Sequence, residues 1–199
     1  MGCFKTLVVG AVTAMAFQAS AAYAQATTNI DATSNLTAGV TLGNEQNIDF
    51  GDIDFSAAPG AGDTAAIGTD GNLVFAGNFT GGATGNVGRV DITAGNNGTT
   101  VEVFCETAAT LSDGAGSTID IASLEVVPEG SEAAFGAGNA CNGLGGAAAS
   151  SFVLNVGTLD TFVFGGQLDG NTAVGFGGGA LYSTGNAGGD DIQVNVFYQ

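Results

Sequence analysis

Apolar and polar residues alternate at every second position along most of this chain after residue 24. Residues 28–42 show the pattern most clearly, with Ile30, Leu36 and Val40 on one face and asparagine, aspartate and threonine residues on the other. Successive side chains of a β-strand point to opposite faces, so a period of two predicts strands that are buried on one side. Apolar residues at helical spacing are nearly absent, and the chain is therefore predicted to be all-β.

About nine short strands are predicted from this alternation and from runs of β-branched and aromatic residues. They cover residues 28–42, 47–55, 72–80, 87–94, 99–107, 118–127, 151–157, 161–168 and 191–198. Residues 56–63 are predicted to form a loop, and the Gly/Ala-rich residues 128–150 a long loop, with a short helix over 139–149 as the alternative. Short strands with regularly spaced turns are typical of an antiparallel β-sandwich with Gly-rich loops, and a barrel is the alternative.

The first 24 residues have the layout of a secretory signal peptide. One positive charge, at Lys5, precedes an apolar run over 6–17, and residues 22–24 supply a small-x-small cleavage pattern. An apolar run of about 12 residues is too short to span a bilayer, which takes about 20. The sequence therefore predicts a cleaved signal peptide over 1–24, an N-terminal alternating strand over 25–42 and a single domain over 43–199. No integral membrane segment is predicted after cleavage, which indicates a protein of the periplasm, the cell surface or the extracellular medium.

Positive charge and histidine are almost missing from the composition. The chain has two basic residues, Lys5 and Arg89, against 19 acidic ones, and no histidine. Loss of residues 1–24 removes Lys5 and no acidic residue, which leaves one cation against 19 carboxylates, a net charge of −18. Nucleic acid is excluded as a partner because there is no basic patch, and most general acid–base and nucleophilic sites are excluded because their usual residues are missing.

Enzymatic activity is not predicted, and no catalytic or cofactor-binding residue is assigned. A Ser-His-Asp site is impossible without histidine. A glycosidase needs only two carboxylates, but tryptophan, which would stack on a sugar, is absent. The Gly-rich residues 175–179 are not followed by Lys-Ser/Thr or by a predicted helix, which disfavours a nucleotide site.

Cys105 and Cys141 remain after cleavage and are predicted to form one disulfide, as a pair of cysteines in an exported protein usually does. Closing such a loop stabilises a fold by about 3–4 kcal/mol in the chain-entropy description. A reactive thiol is the first alternative, and metal binding by two thiolates without histidine is the second. Val101 and Val103 lie on the same face as Cys105, and this face is predicted to be buried.

Aspartates beside glycines leave calcium as an open alternative for a cofactor. Calcium prefers carboxylate oxygens, and the candidates are Asp52, Asp54, Asp63, Asp70, Asp169, Asp190 and Asp191. No EF-hand loop and no Gly-Gly-x-Gly-x-Asp repeat is present in the sequence. The Asp-Gly pairs at 70–71 and 169–170 are signals of turns, and the sequence assigns no metal-ligating residue.

Three segments together resemble the secreted bacterial domains of one family. Residues 47–53 (NIDFGDI) resemble its L-x-F-G-x-I strand, residues 152–159 (FVLNVGTL) its F-x-V-G-x-L strand, and residues 181–198 its closing Y-x-G-x-[FI]-x-V-x-V-x-Y strand. The family is the domain-of-unknown-function family numbered forty-four-oh-two, which is similar to fimbrial adhesin and spore-coat-U-like domains. The resemblance covers most of residues 26–199 and implies an Ig-like sandwich on a bacterial cell surface. The cysteine pair and a longer closing turn depart from the family pattern.

Residues 28–42 are the candidate functional segment. They are either the first strand of the sandwich or, as in fimbrial systems, a donor strand that fills a groove in the next subunit. The candidate assembly residues are Ile30, Ala32, Leu36, Val40 and Leu42, and the C-terminal strand resembling the one by which pilins are handled during export contains Ile192, Val194, Val196 and Tyr198. A strand edge left unpaired is hazardous in a monomer and useful in a polymer.

The leading functional hypothesis is a secreted structural or adhesive protein of the cell surface. Such a protein would be a fimbrial-type subunit that assembles by strand exchange with itself or with other surface proteins. One alternative is a monomeric secreted module that binds a glycan or calcium. Another is a small outer-membrane β-barrel, whose last strand often ends in an aromatic residue, although this chain ends in Gln199.

Overall fold

The computed structural model describes residues 39–82, 85–155, 160–175 and 179–199. The predicted signal peptide and residues 25–38 of the predicted N-terminal strand lie outside the described residues, and with them Ile30, Ala32 and Leu36. The described residues form antiparallel strands and loops without a helix, which confirms the all-β prediction. No helix in these ranges is long and apolar enough to cross a membrane.

The described ranges contain thirteen β-strands. They are β1 (Thr41–Gln46), β2 (Ile53–Phe55), β3 (Thr64–Ile67), β4 (Leu73–Ala76), β5 (Phe79–Gly81), β6 (Gly88–Ala94), β7 (Thr100–Cys105), β8 (Ala109–Ser112), β9 (Thr118–Pro128), β10 (Asn139–Ala140), β11 (Ser150–Val153), β12 (Asp160–Val174) and β13 (Val194–Tyr198). The strands around residues 87–94, 99–107, 118–127 and 191–198 lie close to their predicted positions.

β12 is the central strand of the largest sheet. One of its edges pairs with β6 over residues 160–164 and then with β3 over residues 166–169, whereas its other edge pairs with β9. Its 15 residues span about 50 Å at about 3.3 Å per residue, which is long enough for two consecutive partners on one edge. β1 and β4 extend this sheet beyond β6 and β3, and β8 and β10 extend it beyond β9, which gives eight strands in total.

A second sheet, in the order β11-β7-β13, packs against the first. Val101, Val103 and Cys105 of β7 have no exposed surface, as the alternation predicts. The ring of Phe152 on β11 contacts the ring of Phe162 on β12 edge to face, with centroids 4.8 Å apart. Two antiparallel sheets with one apolar core between them confirm the sandwich-like fold, whereas the finer Ig-like arrangement stays a prediction. β2 and β5 form a separate two-stranded sheet.

The strand set differs from the predicted one at several places. β3, β8 and β10 are absent from the predicted set because they are only two to four residues long, too short for a clear alternation, and alanine fills half of β3. The predicted strand 72–80 is two strands, because the backbone turns at Gly77 with φ 68°, a conformation that glycine adopts readily. The predicted strand 47–55 is regular only in β2, and β12 runs six residues beyond the predicted end at 168.

The loop predicted over 128–150 contains the last residue of β9, the two-residue β10 and the first residue of β11. No helix forms over 139–149, so that alternative is wrong. Part of the loop is held by Glu125 of β9, which is 4% exposed and whose Oε2 accepts hydrogen bonds from the N–H groups of Gly136 (2.9 Å) and Gly138 (3.2 Å). The buried carboxylate thus fixes part of a loop whose Gly/Ala-rich sequence forms little regular structure.

Candidate binding groove

A groove of about 950 Å³ is lined by β6, β9 and β12 of the larger sheet, by residues 47–55 and 179–184, and by Val194 at the start of β13. Four side chains line it that are only 1–4% exposed: Ile119, Ile121, Phe164 and Leu168, all from β9 and β12. Further apolar residues around it are half-buried: Ile48, Ile53, Phe55, Val90, Leu111, Ile192 and Val194. An apolar occupant would remove these half-buried groups from water, at about 25 cal/mol for each Å² covered.

β13 presents an open edge beside this groove. Its residues pair with β7 in the register Val194 opposite Cys105, and within the described residues β7 is its one partner strand. Glu106 donates its N–H to the carbonyl of Gln193 (3.2 Å), and Gln199 donates its N–H to the carbonyl of Thr100 (3.0 Å). In an antiparallel ladder the backbone groups of alternate residues point to opposite edges. The N–H and C=O groups of Val194 and Val196 therefore point away from β7, toward the open edge.

Burial differs sharply between the two paired strands. Val101, Val103 and Cys105 on β7 are completely buried, whereas the residues opposite them on β13 are half-buried. Three of the four residues predicted for the C-terminal strand, Val194, Val196 and Tyr198, belong to β13, and Ile192 precedes it and lines the groove. The apolar face of β13 is therefore incompletely covered at the edge of the second sheet.

The outer edge of β8, by contrast, is covered by the chain itself. Ser112 exchanges both backbone hydrogen bonds with Ser183 (2.9 and 3.0 Å), and its carbonyl also accepts from the side-chain amide of Asn186 (2.7 Å). Asp190 donates its N–H to the carbonyl of Thr110. Covering a sheet edge with a loop is a usual way to prevent pairing with another chain. The same protection is not seen along the outward-facing backbone of β13 in the described residues.

Two of the predicted assembly residues, Val40 and Leu42, are half-buried and pack against the core. Leu42 lies in β1, so this strand crosses the predicted boundary between residues 42 and 43. β1 runs antiparallel to β6, with Thr41 opposite Ala94 and Gln46 opposite Arg89. The groove contains Glu45 and Arg89, so β1 begins about 13 Å away from it, a distance of four residues along a strand.

Acidic side chains surround the groove. They are Glu45, Asp49, Asp52, Asp54 and Asp191. Arg89, the one basic residue of the described ranges, forms an ion pair with Glu129 at 2.8 Å. This pair is about one-third to one-half exposed, and such pairs contribute little to stability. The rim therefore favours an uncharged occupant over an acidic one.

The predicted disulfide is confirmed. Cys105 and Cys141 are bonded, with their Cα atoms 5.1 Å apart, and they are 0% and 6% exposed. Cys141 is further held by a hydrogen bond from its N–H to the carbonyl of Leu124 on β9 (2.9 Å). The bridge therefore joins the second sheet to a segment that is fixed on the first.

Several of the calcium candidates organise turns. Asp70 accepts hydrogen bonds from the backbone and side chain of Asn72, and Asp169 accepts one from the N–H of Asn171. In the described ranges no three histidine, cysteine, aspartate or glutamate residues are grouped so that they could hold a metal ion together. The structure thus gives these aspartates roles in turn geometry, and calcium stays untested.

Asp63 is the most strongly held of these carboxylates. It is 4% exposed and accepts hydrogen bonds from the N–H of Asn78 (2.7 Å), the side-chain amide of Asn78 (3.2 Å) and the N–H of Gly60 (2.8 Å). The backbone N–H of Asn78 contributes most to lowering the pKa of Asp63; burial opposes this shift, and the Asn78 amide and Gly60 add to it. Asp63 thereby fixes the loop over 60–63 to the turn between β4 and β5.

Acid should weaken the fold through Asp63. A carboxylate whose pKa is lower in the folded state stabilises the fold above its unfolded pKa of about 3.9, and this contribution is lost as the pH falls through the folded value. We expect Asp63→Asn to lower the melting temperature at pH 7 and to show a smaller further decrease below about pH 4. Asp52→Asn, which removes an exposed carboxylate, is the control. A difference in melting temperature between Asp63→Asn and the wild type that is the same at every pH would contradict this role.

No protein-family model, curated protein or solved structure matches this chain. The resemblance of residues 47–53, 152–159 and 181–198 to a family of secreted domains therefore stays a prediction. What the chain can bind is therefore indicated by the groove and by the open edge of β13.

Proposed function

We propose that this protein is an exported structural or adhesive subunit of the cell surface that assembles with copies of itself by strand exchange. The observation that carries the proposal is the open edge of β13 beside an apolar groove. An added strand forms main-chain hydrogen bonds with such an edge, while its alternate side chains enter the groove. The disulfide supports export, because disulfides persist in oxidising compartments.

The occupant of the groove is residues 25–38 of a second copy, here called the N-terminal arm. Its period of two places Ile30, Leu36 and small residues on one face, as an added strand beside an apolar groove requires. Asp31 is the arm's one charged side chain, whereas the rim of the groove is acidic. The arm is therefore a part of this strongly acidic chain that the groove repels little.

The positions of β1 and the groove favour a head-to-tail arrangement. β1 begins at the Ala94 end of β6, and the groove lies at the Arg89 end. An arm that starts at one end of a subunit and enters a groove at the other end of its neighbour makes a heterologous contact, which generates open chains. Fourteen extended residues reach about 46 Å, enough to cross between neighbouring subunits.

The test is the size of the native assembly with the arm intact and altered. The mature chain should give a ladder of multiples on a denaturing gel without boiling, and a single monomer band after boiling. The double variant Ile30→Asn, Leu36→Asn places polar side chains on the apolar face of the arm without changing its charge and should give only monomers. The double variant Thr33→Asn, Thr37→Asn places the same side chains on the opposite face and should keep the ladder. A monomer band in both wild-type lanes, or an unchanged ladder in the Ile30/Leu36 variant, would overturn the proposal.

A further inference from the structure

The disulfide joins β7, the partner strand of β13, to the end of the chain segment that supplies β8 and β9 to the groove. Cys105 ends β7 and lies opposite Val194, the β13 residue that lines the groove. Cys141 follows β10 and is hydrogen-bonded to Leu124 of β9. The chain between the two cysteines contains β8 and β9, which supply three of the apolar side chains of the groove. The bridge therefore links the sheet that carries the open edge to the sheet that it faces.

Residues 141–149, here called the strap, make the same connection through weaker bonds. Gly143 donates its N–H to the carbonyl of Cys105 (3.0 Å), and Ala149 donates its N–H to the carbonyl of Val103 (2.8 Å). Hydrogen bonds of this kind open in local fluctuations of a folded protein, whereas the covalent bridge does not. The bridge is thus a covalent link between the strap and β7, and it adds to the hydrogen bonds and the apolar core that hold the two sheets together.

We propose that the groove can bind the N-terminal arm of a second copy only after Cys105 and Cys141 have been oxidised to the disulfide. This inference rests on the proposed function. In the dithiol form the strap is held by hydrogen bonds and by the packing of Ala149 in the core, without a covalent link, and the distance between β13 and the larger sheet fluctuates more. Oxidation fixes that distance at the width an added strand requires. The two thiols give two electrons and two protons to the disulfide of an oxidising protein or small molecule, which becomes two thiols as the Cys105–Cys141 bond forms.

Assembly would therefore occur only after export. A chain kept reduced inside the cell folds with a loose groove and stays monomeric, and it becomes competent in the oxidising compartment where its partners are. The two cysteine residues are 0% and 6% exposed, and this burial protects the disulfide from later reduction.

The experiment compares the full mature chain refolded with and without dithiothreitol at equal concentration. We expect the oxidised chain to form the ladder at least tenfold faster than the reduced chain, which is still folded by circular dichroism. The double variant Cys105→Ala, Cys141→Ala should form the ladder as slowly as the reduced chain, with or without dithiothreitol. Ile67→Ala, in a buried residue outside the groove, is the control for stability alone and should keep the rate of the oxidised wild type.

Hydrogen exchange of the reduced wild-type chain gives a second measurement that does not depend on any variant. Exchange should quicken in β7 and β13 and stay unchanged in β3. If the oxidised and reduced chains form the ladder at equal rates, assembly does not depend on the disulfide, and strand exchange is unaffected. If the oxidised chain forms no ladder, both strand exchange and its dependence on the disulfide are overturned. A reduced chain that does not fold would also overturn the dependence on the disulfide, because the bridge would then act on the whole domain.

Discussion

Replacing Val194 with proline should reduce the ladder of assembled subunits at least tenfold while the domain stays folded. The N–H of Val194 points to the open edge of β13, where an added strand would accept its hydrogen bond. Proline removes this donor and places its ring in the path of the incoming strand. Val194 is the first residue of β13, a position at which a strand tolerates proline, and the ladder with β7 uses the neighbouring residues.

Val194→Ala is the matched control for this substitution. Alanine also shortens the half-buried side chain, but it keeps the N–H, so its ladder should remain within about twofold of the wild type. Melting temperatures of both variants, measured by circular dichroism, show that the fold is retained. A full ladder from Val194→Pro, or the same loss from Val194→Ala, would show that the edge of β13 does not accept a strand.

Phe162→Ala should cost about 3–5 kcal/mol of the free energy of unfolding, the largest effect expected for a single side chain here. Phe162 has no exposed surface and lies on β12, paired with Val90 of β6 and Pro128 of β9. Its ring also contacts Phe152 of the second sheet, a pair that contributes about 0.5–1.5 kcal/mol beyond burial. A small domain is stable by about 5–15 kcal/mol, so this loss is a large part of the total.

The substitution Phe197→Ala tests how much of the stability lost in Phe162→Ala comes from burial of the ring and how much from its contact with a second ring. Phe197 makes a similar edge-to-face pair with Phe104, at 5.7 Å, but it is 53% exposed. We expect a loss of less than about 1.5 kcal/mol for this variant. Urea unfolding of the two oxidised variants measures the difference. Equal losses would mean that the Phe162 site collapses around the missing ring, or that the core between the two sheets is not tightly packed.

The sequence predicts the strands that have strong local signals. β7 and β13 alternate cleanly, and the buried valines of β7, the half-buried valines of β13 and the disulfide of Cys105 lie where the pattern places them. β3 and β8 were missed because alanine and serine residues give little signal, and these strands form since a neighbour already offers an edge. The extension of β12 to Val174 has the same cause, because β9 supplies partners as far as Thr118.

The groove could not be predicted from the sequence, because it results from pairing between distant segments. Ile121 and Phe164 line it only since β9 and β12 are adjacent in the large sheet and β13 is the last strand of the other sheet. The role of Glu125 is hidden for the same reason: a glutamate in an alternating strand looks exposed until the loop around Gly136 folds over it. Such features depend on tertiary contacts, which local periodicity does not record.

Arg89, the one basic residue between positions 25 and 199, also determines how this part of the chain meets trypsin-like proteases. Trypsin-like enzymes cut after lysine or arginine, which they recognise through a carboxylate in the specificity pocket. Within residues 25–199 the bond between Arg89 and Val90 is their one target, and it lies inside β6, with β1 on one side and β12 on the other. Proteolysis there requires the sheet to open first. The folded domain is therefore expected to resist trypsin-like proteases for as long as β6 stays paired on both edges.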